Sequence, residues 1–582
     1  MDILLIKISI LCFLSFSLFQ LSQAGHSVDE WKERSIYQII TDRFSLSKDA
    51  HERLPCDPAR FMYCGGTWNG IRDHLDYIQD MGFDAIWISP IFENEEGNKI
   101  DGWSYHGYWT KNLYALNHHY GTKEDFKNLV EELHRRDMWI LLDVAINSIA
   151  LNGPLENITF DKVVPFNDES YYHPFCWVDY ELNDVEVVQN CWLGDENLVL
   201  ADLDTENPTV VEILQKWLRD VVEEYDIDGI RFDATKHAPV EFWSKMAEAA
   251  GVFTIGEYFT GSPTEACDYQ NAGLDSFLNF PLYWPITWAF NNTGLQCEAL
   301  ATVINQIHSQ CRDVNALGTF IGNHDVPRIA HNNTDQARVM NAISFVMMWD
   351  GIPIIYYGTE QNFNTFHDPF NREALWLSKF DTSNIYYRLI GALNRFRKSV
   401  QKKDPEYVNT QSIILKVQLH YMVIQKHKVI SVLGNWGIHS QEGLTISFIP
   451  VGAHPGDVYF DIISDKTYKV DEQGKLNVEI FFGFPVIMYP KTQGEIQVPE
   501  FTPTLLPETT FIPSITITTH YVQPTYDVPF GYDMRDHPGG QQFWKSIVSQ
   551  KSSSTENTLA PGKALPIILS FFTLLLPIFV LA

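Results

Sequence analysis

Four acidic positions close or follow short apolar runs. Asp143 ends Trp139–Asp143, Asp233 ends Gly229–Asp233, Glu257 ends Phe253–Glu257, and His324-Asp325 follows Gly318–Gly322. Burying a carboxylate without a partner is costly, so a random buried strand rarely finishes on an acid. Carboxylates gathered in this way are the parts for proton transfer and nucleophilic attack. The plainer alternative for each is a salt-bridged strand end. Arg231 stands two residues before Asp233, on the same face of an extended chain. There it can keep that acid ionised and oriented.

The elements that must position these acids follow from the pattern of the chain. Eight runs read as buried strands: Ile36–Ile40, Asp84–Ile88, Trp139–Asp143, Gly229–Asp233, Phe253–Glu257, Ser276–Phe280, Gly318–Gly322 and Pro353–Tyr357. Helical stretches such as Lys123–Arg136 and Pro208–Tyr225 lie between most of them. Alternating strand and helix implies an α/β fold with a parallel sheet, and eight such units suggest a (β/α)8 TIM barrel. In that fold chemistry sits at the C-terminal ends of the strands, where the acids fall. Residues 25–146 and 206–390 are assigned to this barrel. Residues 147–205, after the third strand, are long and irregular and read as a small inserted domain.

From residue 391 the pattern shifts to short alternating strands: Ser412–Val417, Tyr421–Gln425, Val429–Gly434, Val458–Asp461 and Val478–Phe482. We read residues 391–491 as a C-terminal antiparallel β-sandwich. Residues 492–555 are rich in Pro, Thr and Ser and predict an extended, O-glycosylated stalk. No internal repeat is visible.

Both ends read as addresses. An apolar run closing on Leu21-Ser22-Gln23-Ala24 marks residues 1–24 as a signal peptide. Residues 564–582 carry no charge and are preceded by a polar spacer and the small cluster Ser552, Ser553, Ser554. That order is the pattern of a GPI-anchor signal, assigned to 556–582, with a retained transmembrane helix as the alternative. The expected location is the outer face of the plasma membrane or the cell wall. The net charge of −31 repels phosphate backbones and excludes nucleic acid as a partner. Aromatic residues make up 14% of the chain, which suits sugar-stacking surfaces and an aromatic core equally. Three sequons, Asn157, Asn291 and Asn332, are candidate glycosylation sites. Once Cys12 leaves with the signal peptide, Cys56, Cys64, Cys176, Cys191, Cys267, Cys297 and Cys311 remain, an odd number that leaves one thiol without an internal partner.

At the acids the chain resembles a known family. Asp143-Val144-Ala145-Ile146-Asn147, the run from Gly229 to His237, Gly256-Glu257 and the run from Phe320 to Asp325 look like the four ordered motifs of the α-amylase family. Tyr105-His106-Gly107-Tyr108-Trp109 and the run from Asp368 to Glu373 agree. The resemblance spans about residues 30–490 and is strongest to fungal α-amylases.

The resemblance implies a retaining glycosidase acting on α-glucan as a monomer. It makes Asp233 the nucleophile and Glu257 the general acid/base, with Asp325 stabilising the distorted sugar beside His324. Cleavage through an oxocarbenium-like state needs one ionised carboxylate and one protonated carboxyl group, so the pKa of Glu257 is expected to be raised. By the same resemblance His106, Tyr108, Trp109 and Arg231 line the reacting-sugar pocket, Asp368 and Arg372 clamp that sugar, and Lys236 and His237 reach the leaving side. It implies a structural Ca²⁺ held by the Asn147 and Asp202 side chains and the Gln189 and His237 carbonyls. It pairs Cys56 with Cys64, Cys176 with Cys191 and Cys267 with Cys311, leaving Cys297. Gln189 stands where fungal relatives have an acid, a change that a carbonyl ligand tolerates.

One departure bears on activity. The first motif usually ends in His, and here that place is Ser148. A lost transition-state hydrogen bond costs about 1.5–3 kcal/mol, so starch hydrolysis is expected to be feeble. GPI-anchored fungal relatives changed at this place resemble 4-α-glucanotransferases, since a sugar hydroxyl can replace water as acceptor. The sequence therefore carries two catalytic readings, hydrolase and transglycosylase. A third, a non-catalytic wall-binding protein, is disfavoured because no catalytic acid is missing.

Overall fold

The computed structural model describes residues 25–48, 56–98, 100–182, 184–291, 297–331, 333–440, 443–491 and 501. The signal peptide, nearly all of the stalk including Ser552, Ser553 and Ser554, the anchor signal and the sequon residue Asn332 lie outside the described residues. No described helix is long and apolar enough to cross a membrane.

Eight strands carry the core: β1 (Ile36–Ile39), β2 (Ala85–Ile88), β3 (Trp139–Val144), β4 (Gly229–Phe232), β5 (Phe253–Gly256), β6 (Ser276–Phe277), β7 (Gly318–Thr319) and β8 (Ile352–Tyr356). Every residue of these strands is buried, which is why they read as continuous apolar runs rather than alternating ones. Their order is β6-β5-β4-β3-β2-β1-β8-β7, all parallel. A parallel bridge between Leu278 and Gly318 joins the two ends and closes the sheet into a barrel. The Asn279 N–H donates to Gly318 O at 2.8 Å across that seam.

Helices stop and start where their sequences say. Lys123–Arg135 opens on a capping box between Thr122 and Asp125. Pro208–Tyr225 opens on an Asn207 cap with Pro208 in the first turn. It ends where Asp226 adopts the left-handed conformation.

The insertion after β3 forms a small antiparallel sheet of Ser148–Asn152, Leu198–Asp202 and Leu193–Gly194. Disulfides join Cys56 to Cys64, Cys176 to Cys191 and Cys267 to Cys311, and Cys297 is free and buried.

The C-terminal domain packs a six-stranded antiparallel sheet against a two-stranded antiparallel sheet of Thr445–Phe448 and Leu476–Glu479. Tyr421, Val432, Tyr459 and Met488 of the larger sheet share one core with Ile446, Phe448, Leu476 and Val478. Two expectations for this domain need correction, and in the barrel the runs Ser276–Phe280 and Gly318–Gly322 are extended only to Phe277 and Thr319. The junction placed at 390/391 falls inside the helix Ile385–Lys403, and the first strand of the domain begins at Ile413. The run Val478–Phe482 is extended only to Glu479. Phe482 and Gly483 turn the chain with φ of 50° and 65°.

Candidate active site

The parallel register of β3 and β4 builds the centre of the site. Arg231 lies directly beside Asp143 in the ladder, and Asp233 follows two residues on, on the same face. Arg231 Nη1 is 2.7 Å from Asp143 Oδ1 and 2.6 Å from Asp233 Oδ1. Its Nη2 is 2.9 Å from Glu257 Oε2. One fully buried guanidinium thus gathers three carboxylates from the ends of three adjacent strands. Such charge-assisted contacts are both strong and directional, so they hold the acids in place before substrate arrives.

Glu257 follows β5 and is fixed by its own backbone as well. Its N–H donates to Phe232 O, and its carbonyl accepts from Thr235 N–H, each at 2.9 Å. The Ala234 N–H donates to Glu257 Oε2 at 3.0 Å. Ala234 does so from a left-handed backbone, φ 49°, which costs a non-glycine residue about 1–2 kcal/mol. Burial pushes the Glu257 carboxyl well above the ordinary carboxylate range. Arg231 opposes that rise, while the charges of Asp233 and Asp325 add to it. The result is a proton held on Glu257 beside an acid, Asp233, that is partly open to solvent.

Asp143 is the anchor of this group. It accepts from the Tyr108 hydroxyl at 2.7 Å and from Trp87 Nε1 at 2.8 Å. Burial, against the pull of Arg231, raises it to about 6.

Opposite stands the second cluster. Arg372 Nη2 is 3.2 Å from Asp325 Oδ1, and its Nη1 is 3.0 Å from Asp368 Oδ1. His324 Nε2 lies 3.1 Å from Asp325 Oδ2, while Gln38 Nε2 bonds His324 Nδ1 at 3.0 Å. His324 stacks on Tyr108 at 5.0 Å, which ties the two clusters together. Burial and the nearby Arg372 push both His106 and His324 well below the usual imidazole range, so both are neutral. His106 accepts the Tyr108 N–H at 3.1 Å, and the half-buried Trp109 meets its ring edge-on at 4.9 Å.

On the remaining side Lys236 and His237 leave β4 in a short turn. His237 is held between Val188 O and the Tyr180 hydroxyl, each at 3.0 Å. Burial lowers Lys236 and drops His237 to about 4. Tyr180 comes from the inserted domain. Burial and the charge of Glu257 lift its hydroxyl to about 12.

The structure thus brings Asp233, Glu257, Asp325, His106, Tyr108, Trp109, Arg231, Lys236, His237, His324, Asp368 and Arg372 into connected clusters. Sequence reading gave no role to Gln38, Trp87 or Tyr180, and placed Asp143 at a strand end and in the first motif without a role of its own. The strand-end pattern marked Asp143, and Gln38 and Trp87 lie inside strands that the apolar runs marked. Nothing periodic marked Tyr180 in an irregular insertion.

The proposed cation ligands form two pairs. Asn147 precedes Ser148, which faces Asp202 across the ladder, and Asn147 O accepts Leu203 N–H at 2.9 Å. Gln189 Nε2 donates to Ala238 O, next to His237, at 3.4 Å. Asn147 is 1% exposed and its side-chain nitrogen has no partner. Asp202 is also 1% exposed, and burial pushes it to about 7 even though His173 Nδ1 sits 2.7 Å away. The Asn147 side-chain oxygen, a buried acid whose charge is under-compensated and two main-chain carbonyls make an oxygen donor set that a hard cation takes, so these residues fit calcium.

A buried proton donor and a second carboxyl side chain held by the same guanidinium, inside a pocket of neutral histidines and aromatic rings, are equipped to cleave an acetal bond. Comparison with known proteins agrees. The family model described as "Alpha amylase, catalytic domain" matches residues 38–412. The α-amylase 2 of Schizosaccharomyces pombe is 71% identical over 532 residues, spanning 91% of this chain and 92% of that protein. A solved α-amylase from Malbranchea cinnamomea aligns with a TM-score of 0.77 at 40% identity, covering 80% of this chain and 98% of that one. A solved cyclomaltodextrin glucanotransferase aligns with a TM-score of 0.68 at 27% identity, covering 79% of this chain and 99% of that one.

Proposed function

From the premise that the chain belongs to the α-amylase family and is a glycoside hydrolase acting on α-glucan, we propose that it cleaves α-1,4-linked glucan with retention at the cell surface. Asp233 attacks the anomeric carbon while Glu257 protonates the leaving oxygen. Glu257 then takes a proton from the acceptor, which displaces Asp233. The observation that carries this reading is the bridging of Asp233 and Glu257 by the single Arg231 guanidinium. Arg231 and the Ala234 N–H orient the two acids, and burial keeps Glu257 protonated for the first step. Asp325, Asp368 and Arg372 hold the hydroxyls of the reacting sugar. Neutral His106 and His324 exchange hydrogen bonds with it at no cost in desolvated charge. Lys236, His237 and Tyr180 receive the departing chain.

Asn147 and Asp202 by side chain and Gln189 and His237 by main-chain carbonyl would hold calcium, whose charge would tie the inserted domain to the end of β3. The reading of the location rests on the order of signal peptide, stalk and anchor signal in the sequence, and points to α-glucan of the cell wall as substrate.

The second reading is a 4-α-glucanotransferase. Ser148 favours it, because a shorter group at this place weakens catalysis without touching any of the acids. The glucanotransferase among the structural neighbours is in keeping with it. Incubation with maltoheptaose separates the readings. Rising reducing ends indicate hydrolysis, whereas longer and shorter oligomers at constant reducing ends indicate transfer. No change in the oligomer pattern would overturn both.

A further inference from the structure

Outside the cleft, one cluster has a chemistry that glycosidic cleavage does not use. Glu96, His118 and His119 converge, with one ligand atom from each lying within 4.8 Å of the others. His119 Nε2 is 3.1 Å from Glu96 Oε2, and His118 Nε2 is 4.0 Å from Glu96 Oε1. The two imidazoles are consecutive in the turn that follows the strand Thr110–Leu116, with ring centroids 4.1 Å apart. Glu96 follows the strand Phe92–Asn94, which pairs with Thr110–Leu116, so both parts stand on one hairpin.

Part of this cluster is held in place. His119 stacks on Tyr63 at 3.8 Å with an interplanar angle of 19°. The main-chain N–H of His119 donates to Asn117 Oδ1 at 3.1 Å, and Asn117 Nδ2 donates in turn to the Tyr63 hydroxyl at 3.2 Å. Tyr63 adjoins Cys64 of the Cys56–Cys64 disulfide and donates to Ser104 O at 3.2 Å. His119 is therefore fixed on a disulfide-braced shelf. His118 and Glu96 are exposed and free to adjust, their side chains 72% and 49% accessible.

We propose that Glu96, His118 and His119 bind a divalent transition-metal ion of the zinc class. Two imidazole nitrogens and one carboxylate oxygen form a donor set that zinc takes, whereas a hard cation selects oxygen alone. Tetrahedral zinc at about 2.0 Å from each donor sets the donors roughly 3.3 Å apart. The Glu96–His119 pair is already near that spacing, and rotation of His118 closes the rest. The fourth position stays open to water or an outside ligand. An accidental surface acid beside two histidines needs neither the clamp on His119 nor the convergence of both rings on one carboxylate. This site is separate from the oxygen-only residues proposed for calcium, so its fate is independent of the catalytic reading.

The test is calorimetric titration of the glycosidase, in calcium-replete buffer without chelator, with zinc chloride. One site of micromolar affinity is expected. The double variant His118→Asn with His119→Asn should lose it, and Glu96→Gln should weaken it by about tenfold or more, since losing a ligand costs at least as much as losing a group that orients one. Cobalt substituted for zinc should give a visible absorption band in the wild type and none in the double variant. None of the three residues lies in the sugar pocket, so unchanged glucan turnover by the double variant shows that it folds. Two results overturn the proposal. One is the absence of saturable binding below about millimolar zinc. The other is unchanged stoichiometry in the double variant, which would move the ion elsewhere, for instance to His173, Asp204 and Glu206.

Discussion

Arg231 places Nη2 2.9 Å from Glu257 Oε2, yet Glu257 remains well above the ordinary carboxylate range. Burial outweighs the guanidinium, and the charges of Asp233 and Asp325 reinforce burial. A general acid must be protonated, so kcat/KM should fall as pH rises through this elevated pKa. Asp325→Asn removes one of the charges that raises it. The alkaline limb of the residual activity of that variant should therefore move to lower pH. An unmoved limb, measured with a soluble maltooligosaccharide, would take Glu257 out of the acid role.

Ser148 stands at the first position of the inserted strand, opposite Asp202. Replacing it with His restores a longer hydrogen-bonding side chain at the end of the first motif. A transition-state hydrogen bond of about 1.5–3 kcal/mol corresponds to a gain of roughly ten- to a hundredfold in turnover. Ser148→His should raise hydrolysis of maltoheptaose by that order and lower the share of transfer products. An unchanged ratio of reducing ends to transfer products would remove Ser148 as the selector.

The legible part of this protein was its buried part. Barrel strands such as β3 and β4 show as apolar runs because both faces are covered, and their acids stand out against that background. What the sequence did not disclose was register. Asp143 and Arg231 are distant in the chain, and only the parallel pairing of β3 with β4 sets them side by side. The short strands of the C-terminal domain were harder. Thr467–Lys469 has one buried residue between two exposed ones, and Val486–Pro490 is flanked by Pro485 and ends on Pro490. Both are too brief for a period to emerge. Tyr180 carried no signal because its turn is irregular and its contacts with His237 are made across the fold.

Asp350 ties the barrel to the C-terminal domain. Its carboxylate meets Lys426 Nζ at 2.8 Å and His308 Nε2 at 2.8 Å, and accepts the Ser412 N–H at 3.0 Å. Burial alone would raise it, but Lys426 and His308 outweigh burial and bring it to about 2. A carboxylate lowered on folding stabilises the protein above its unfolded pKa of about 4 and ceases to do so as pH falls through its folded value. Asp350→Asn strands Lys426 and should cost about 3–5 kcal/mol near neutral pH. Measured by urea unfolding, that difference should shrink between about pH 4 and pH 2. A variant as stable as the wild type at pH 7 would show that this contact does not secure the junction.

Calcium removal should expose the buried charge of Asp202. Ligand at a hundredfold excess over its dissociation constant stabilises by about 2.7 kcal/mol. For a barrel of about 300 residues that corresponds to roughly 4 °C in Tm. A chelator should lower Tm by that amount in the wild type, and Asn147→Ala should abolish the response. Equal melting with and without chelator would reject calcium at these residues.

The central claim is that Asp233 forms the bond to the sugar while Glu257 handles the proton. Glu257→Gln, given a 5-fluoro maltosyl fluoride, tests it most directly. Fluoride departs without a proton, and loss of the base slows release of the adduct, so the covalent glycosyl-enzyme should accumulate. Mass spectrometry of the digested protein should find the maltosyl group on Asp233. A label on any other acid, or no label together with β-configured first product by proton NMR, would contradict the account.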